Sequence, residues 1–196
     1  MKIFKRLLLW FGILIFGIFL SFLLIKGGER PSIPILGSAP DFTLYDTSAE
    51  EFSAEELAGK TWVVNFMFTT CGSICPLMSK NIASVYQAYL SQKDVHFVSI
   101  SVNPEYDSPS VLAEYAKKYR ADIKRWHFLT GARSKITDLL NNGFKLGSAE
   151  DIAMHSGYFV LVDSKGFIRG YYDGTNQAAI HKLLKDIAIL RLERKP

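Results

Sequence analysis

Cysteine is scarce in this sequence of 196 residues, because Cys71 and Cys75 are the only two. A structural zinc site prefers four closed ligands, and no third cysteine exists to help complete one. No cysteine is available for a lipoprotein anchor either. The pair lies in T-T-C-G-S-I-C-P, residues 69–76, and three functions are open: a redox pair, a metal site or a structural disulfide. A disulfide here would close a loop of only a few residues and constrain the unfolded chain little, which favours chemistry.

Charge is absent from residues 7–25, a run of 19 residues in which only Ser21 is clearly polar. A helix of that length spans roughly 28 Å, close to the hydrocarbon thickness of a bilayer. A cleavable signal peptide has a shorter apolar region followed by small residues, and no A-x-A pattern follows here. We therefore predict an uncleaved transmembrane anchor over residues 1–26, a linker over 27–40 and one domain over 41–196.

The flanking charges predict the orientation of this anchor. Lys2, Lys5 and Arg6 precede the span, whereas Lys26 and Arg30 follow it. The positive-inside rule then favours a cytoplasmic amino terminus. In a bacterium the protein would be a single-pass protein of the inner membrane, with its carboxyl-terminal domain facing the periplasm.

The net charge of +4 comes from the same membrane-flanking segments. Those five basic residues minus Glu29 carry +4, so about zero is left for the exported domain. A basic footprint for nucleic acid is therefore absent, and we expect no nucleic-acid partner.

The domain alternates strand and helix patterns. Residues 61–68 and 95–102 have the apolar, β-branched composition of strands covered on both faces. Helical patterns follow each of them, and a hairpin and a last helix end the chain. This order predicts an α/β fold, a thioredoxin-like mixed sheet with flanking helices. Sites in such sheets form at the carboxyl ends of the strands, where residues 69–76 lie.

Pro76 is best tolerated in the first turn of a helix, so a helix should begin at Cys75 or Pro76. The N–H groups and macrodipole of a helix amino terminus stabilise a thiolate, which predicts a lowered pKa for Cys75. Thiolates are soft ligands that select Cu(I) or zinc over hard cations. Outside the cytoplasm the same pair could instead close as a disulfide bond.

Proline is missing between Pro109 and Pro196, although thioredoxin-like oxidoreductases usually present a cis-proline opposite the cysteines. This chain has His155 there, directly before the predicted strand 158–162. We expect His155 to be a ligand or a catalytic residue. The remaining three histidines lie in or beside strands or on the last helix, where packing or surface positions are the more ordinary interpretation: His96, His127 and His181.

Three features together resemble the SCO/SenC family: T-C-G-S-I-C-P at 70–76, S-I-S-V-N-P-E-Y-D-S-P at 99–109, and His155 before a strand that ends at Asp163. The resemblance runs from about Pro40 to Leu190. It implies a membrane-anchored, thioredoxin-like copper protein that helps to build the copper centre of cytochrome c oxidase. Carried over by position, Cys71, Cys75 and His155 would be the ligands of Cu(I) or Cu(II), and an oxidase subunit would be the acceptor.

The sequence also departs from that family. Many members have Pro-Asp at the position of Gly72-Ser73, an Asp at Asn103 and an Arg at Tyr106. The loss of nearby carboxylates bears on how copper or the partner is recognised.

Two functions of different class therefore stay open. The first is a metallochaperone that is not an enzyme. The second is a thiol-disulfide oxidoreductase that reduces the cysteines of the acceptor, in which Cys71 attacks and Cys75 resolves the mixed disulfide.

Overall fold

A computed structural model describes residues 4, 10–19, 21, 32–147 and 157–193. His155 lies outside the described residues, and the predicted anchor over 1–26 is described only in part. Residues 10–19 are helical, and their large apolar side chains are exposed. Within the described ranges, no helix has both the length and the apolarity that crossing a bilayer requires. The chain forms two units, residues 1–32 and 33–196.

The second unit is built on a six-stranded sheet with the strand order β1-β8-β7-β4-β5-β6. A two-stranded antiparallel sheet, β2-β3, packs beside it. The strands are β1 (Gly37–Ser38), β2 (Thr43–Tyr45), β3 (Glu51–Ser53), β4 (Thr61–Met67), β5 (Val95–Ser101), β6 (Trp126–Leu129), β7 (Tyr158–Val162) and β8 (Phe167–Asp173). The helices are α1 (Cys75–Ala88), α2 (Pro109–Lys118), α3 (Arg133–Asp138) and α4 (Gln177–Glu193). This mixed architecture confirms the predicted fold class of the domain.

The middle of the sheet is parallel, because β4 pairs with β5 and β5 pairs with β6 in the same direction. The β7-β8 hairpin joins β4 in the antiparallel sense, and β1 adds to the outer edge of β8. All seven residues of both β4 and β5 are buried, as expected for strands covered on both faces. The carboxyl ends of β4, β5 and β6 therefore lie at one edge of the sheet, and the cysteine motif follows β4 there.

Two apolar cores cover the faces of the sheet. Alternate residues of β4 separate between them: Val63 and Met67 belong to the first core, and Val64 and Phe66 to the second. Helices α1, α2 and α4 supply the first core, with side chains such as Ile82. The β2-β3 sheet and the apolar side chains of residues 136–146 supply the second. This layering fixes α1, and with it the cysteine motif, on one face.

The helix ends follow the sequence signals. The Ser108 hydroxyl accepts a hydrogen bond from Val111 N–H at 3.4 Å before α2, and Asn176 caps α4 with its side-chain oxygen. Helix α3 changes at Leu139 into a π-helical turn that ends at Gly143. A Cβ at Gly143 would lie 2.8 Å from Pro40, so a side chain there would clash with the segment that enters the domain.

That entering segment is part of the folded unit. Ile33 is buried in the first core, although it falls in the range predicted as a linker. The buried guanidinium of Arg169 donates to the Ile33 and Pro34 carbonyls, and it pairs with Asp163 at 2.7 Å and Glu193 at 3.0 Å. These bonds hold the start of the domain against β8 and the end of α4.

Candidate functional site

The cysteine motif begins where β4 ends. The pairing of β4 with its neighbour continues one residue beyond the end of β5, because Val102 N–H donates to Met67 O at 2.9 Å. The chain then turns, with Cys71 N–H donating to Phe68 O at 3.3 Å. Helix α1 begins at Cys75, and Pro76 occupies its first turn, where no N–H is needed. The sequence prediction for the helix start is therefore confirmed.

Burial distinguishes the two cysteines. Cys75 is 1% exposed and packs in the first core, whereas Cys71 is partly exposed beside that core. Both are free thiols, and Cys71 packs against the core cluster that contains Cys75. The Cys71 sulfur also lies 3.5 Å from the Ser73 hydroxyl. The motif thus presents one sulfur to the outside and holds the other behind it.

The two thiols differ in acidity for the same reason. Burial raises the pKa of Cys75 to about 12, and the hydrogen bond from Cys75 to the Cys71 sulfur adds to the effect. For Cys71 partial burial opposes ionisation, but hydrogen bonds from Cys75 and Ser73 outweigh it and lower its pKa to about 7. The prediction that the helix amino terminus would lower the pKa of Cys75 is therefore wrong, because removal from water dominates at that sulfur.

A buried carboxylate stands behind the turn. Asp107, in the loop after β5, is fully buried and accepts hydrogen bonds from the Thr69 N–H at 3.1 Å and from the Thr69 hydroxyl. The negative charge of Asp107 also contributes to the raised pKa of Cys75. The sequence analysis assigned no role to Thr69 or Asp107. Their signal was positional, since each follows a central parallel strand at the same edge of the sheet.

The chain returns to this edge at Gly157, just before β7. A Cβ at Gly157 would lie 3.9 Å from the Ile74 Cδ1, so this residue is adjacent to the segment between the cysteines. His155, the third predicted ligand, is two residues earlier and outside the described residues. Where the structure is described, no cluster of three or more His, Cys, Asp or Glu side chains is arranged to hold a metal.

The other histidines occupy packing and surface positions, as expected. His96 Nδ1 lies 3.2 Å from His127 Nε2, and His96 Nε2 lies 3.3 Å from the Lys93 carbonyl. Because that carbonyl requires a donor, His96 carries its proton on Nε2 and accepts from His127 on Nδ1. Burial lowers the pKa of both imidazoles to about 4; the charge of Lys60 adds to this effect at both, and the His96 ring adds to it at His127. His181 is exposed on α4.

The fold and the motif together define a thioredoxin-like domain whose two thiols lie at the start of its first long helix. The chain belongs to the SCO1/SenC family, whose model matches residues 36–189.

Individual relatives agree with this assignment. The SCO1 protein homolog of Bacillus subtilis (strain 168) is 29% identical over 177 residues, which cover 87% of this chain and 92% of that protein. A protein of Stutzerimonas stutzeri named for copper binding is 27% identical over 147 residues, 71% of each chain. The solved structure of BsSco superimposes with a TM-score of 0.72 at 28% identity, covering 82% of this chain and 98% of that one. BsSco is described as a member of the Sco family of cytochrome c oxidase assembly proteins with a disulfide switch.

Proposed function

We propose that this protein is a membrane-anchored metallochaperone that binds copper and delivers it to an extracytoplasmic acceptor, the copper centre of cytochrome c oxidase. The observation that carries the proposal is the pair of free thiols where helix α1 begins, with Cys75 buried in the first core and Cys71 partly exposed beside it. Thiolate sulfur is a soft ligand suited to Cu(I). The family and the copper-binding and oxidase-assembly descriptions of its relatives support the same cargo.

His155 completes the ligand set that we propose. Gly157 is adjacent to Ile74, and consecutive Cα atoms are about 3.8 Å apart, so the backbone of residue 155 is at most about 8 Å from that of residue 157. Two sulfurs and one nitrogen form a trigonal site for Cu(I), and one added weak ligand would suit Cu(II). Three ligands also leave room for an acceptor to replace them one at a time.

A metallochaperone function predicts that each reduced protein molecule binds about one copper ion. The test is a Cu(I) titration of the full-length protein in mild detergent, in competition with a chromophoric chelator. Replacement of Cys71 or Cys75 by Ser, or of His155 by Ala, should each weaken binding, whereas His181→Ala serves as the matched control for an exposed histidine. Copper binding by His155→Ala as tight as that of the wild type would eliminate the three-ligand site.

The difference between the thiols also favours a second function, thiol-disulfide exchange with the acceptor. The Cys71 thiolate would attack an acceptor disulfide, forming a mixed disulfide and releasing one acceptor thiolate. Cys75 would then lose its proton, attack the Cys71 sulfur and release the second acceptor thiol. Two electrons pass to the acceptor and leave a Cys71–Cys75 disulfide, which an external dithiol must reduce. The Cys75→Ser variant should trap the mixed disulfide, and complete absence of exchange by the wild type would remove this function.

Anchoring is part of the proposal and rests on the uncharged run over residues 7–25. We expect the protein to stay with the membrane fraction after alkaline carbonate extraction. We also expect protease added to spheroplasts to digest its carboxyl-terminal domain. Release by carbonate would contradict the anchor, and protection from protease would contradict the orientation.

A further inference from the structure

The hydrogen bonds around Asp107 connect two loops at the carboxyl edge of the sheet. The Ser101 hydroxyl, at the end of β5, donates to Asp107 at 2.5 Å and accepts from Asn103 N–H at 3.0 Å. Asp107 N–H in turn donates to the Asn103 carbonyl at 2.9 Å. The carboxylate is thus fixed within its own loop before it reaches the neighbouring loop at Thr69.

Two bonds to Thr69 then attach the turn that carries Cys71. One comes from the backbone N–H and one from the hydroxyl, so both the backbone and the side chain of Thr69 are held. Thr69 is two residues before Cys71, inside the turn closed by the bond from Cys71 N–H to Phe68 O. A change at Asp107 or Thr69 would therefore alter the position of the Cys71 sulfur, although neither residue lies in the C-G-S-I-C segment.

The burial of this carboxylate is costly unless its charge is compensated. Among the described residues Asp107 forms no ion pair, and its compensation is the group of three donors from Thr69 and Ser101. Charge-assisted bonds of this kind are short and directional, and they hold their donors more firmly than bonds between neutral groups. Asp107 is thus suited to hold the thiol turn in one conformation.

We propose that Asp107 is a positioning residue for the thiol pair: through Thr69 it holds the Cys71 sulfur against Cys75. This inference rests on the proposed function, because it concerns the same two sulfurs. Mutation of the groups that support metal ligands typically lowers metal affinity about 10- to 100-fold. Holding two thiols together also raises their effective concentration for each other, which favours the disulfide over the dithiol.

The test compares Thr69→Val, which removes the hydroxyl at nearly constant shape, with Thr69→Ser, which keeps it. Thr61→Val is the matched control, since Thr61 is a buried threonine at the opposite end of β4. Each full-length variant is measured for Cu(I) affinity by chelator competition. It is also equilibrated with glutathione, where two glutathione molecules reduce the Cys71–Cys75 disulfide to two thiols and give glutathione disulfide. Circular dichroism and thermal melting monitor the fold.

We expect Thr69→Val to weaken Cu(I) binding about tenfold or more. We also expect it to shift the glutathione equilibrium about tenfold toward the dithiol, equal to about 30 mV. Thr69→Ser and Thr61→Val should stay near the wild-type values. Should Thr69→Val fail to fold, Ser101→Ala removes the other hydroxyl donor and is expected to change both quantities in the same direction.

A Thr69→Val variant that melts earlier but keeps both the copper affinity and the redox equilibrium would overturn the proposal, because Asp107 would then be only a structural tie. If the wild-type protein binds no Cu(I), the proposed metallochaperone function is wrong instead. In that case the glutathione equilibrium of the same variants still decides the role of Asp107.

Discussion

Cys71 and Cys75 should react with iodoacetamide at very different rates, although only three residues separate them. At pH 7 a thiol with a pKa of about 7 is half ionised, whereas one with a pKa of about 12 is ionised in about one molecule in 10⁵. The thiolate fraction therefore favours Cys71 by roughly 5 × 10⁴. The more basic thiolate of Cys75 is the better nucleophile. A Brønsted slope of about 0.4 to 0.5 over five pKa units makes it about 100- to 300-fold more reactive than the Cys71 thiolate, which offsets part of that advantage. Cys71 should therefore react roughly 170- to 500-fold faster than Cys75, and the burial of Cys75 increases this ratio.

The assay is alkylation of the reduced protein from pH 5 to 9, with the modified cysteine identified by mass spectrometry of its peptides. We expect the rate at Cys71 to rise with a midpoint near pH 7. Cys75→Ala removes a donor to the Cys71 sulfur and should move that midpoint upward, whereas Cys75→Ser keeps a hydroxyl donor and should move it less. Comparable labelling of the two cysteines in the wild type, or a midpoint near the ordinary thiol value of 9, would refute this account of their acidity.

Three further predictions concern stability and follow from buried polar groups. The pKa of His96 and His127 in the folded protein is near 4, below the ordinary value of 6.5. Their contribution to the free energy of unfolding is therefore complete above about pH 6.5 and is lost as the pH falls through 4. The loss is up to about 3 kcal/mol for one imidazole. Urea unfolding at pH 7 and pH 4 should show this loss, and it should be smaller when both are Gln. Arg169→Met should lower the free energy of unfolding by about 3 to 5 kcal/mol, because it leaves Asp163 buried without its partner, and a loss below 1 kcal/mol would contradict the ion pair. Thr130→Val should be neutral or stabilising in the same urea assay, because the buried Thr130 hydroxyl has no hydrogen-bond partner in the described structure, and a clear loss of stability would reveal one.

Local signals in the sequence were sufficient for the elements that surround the site. The largely apolar run of β4 predicted cover on both faces, and Ser108 and Asn176 carried the side-chain oxygens that begin α2 and α4. Pro76 placed the start of α1 within one residue. These features depend on contacts within a few residues, so the chain order alone determines them.

Contacts between distant residues were beyond the reach of the same reasoning. Thr69 and Asp107 are 38 positions apart, and Ile33 and Arg169 are 136 apart, so no periodicity or spacing connects them. The acidity of Cys75 was mispredicted for a related reason. A helix start is visible in sequence, but the depth at which that start is buried depends on the packing of the whole first core.

The two proposed functions make the same demand on the cysteines and different demands on the rest of the site. A lowered pKa at Cys71 serves metal binding and nucleophilic attack equally, and the buried Cys75 serves as a second ligand or as a resolving thiol. Variants of either cysteine would therefore abolish both activities, and they would not distinguish one function from the other. Among the described residues, hydrogen bonds from Cys75 and Ser73 are what lower the pKa of Cys71, so we expect an imidazole to be needed only by the copper site. His155→Ala should thus lose copper affinity while its rate of disulfide exchange stays unchanged, and parallel loss of both would mean that one function depends on the other.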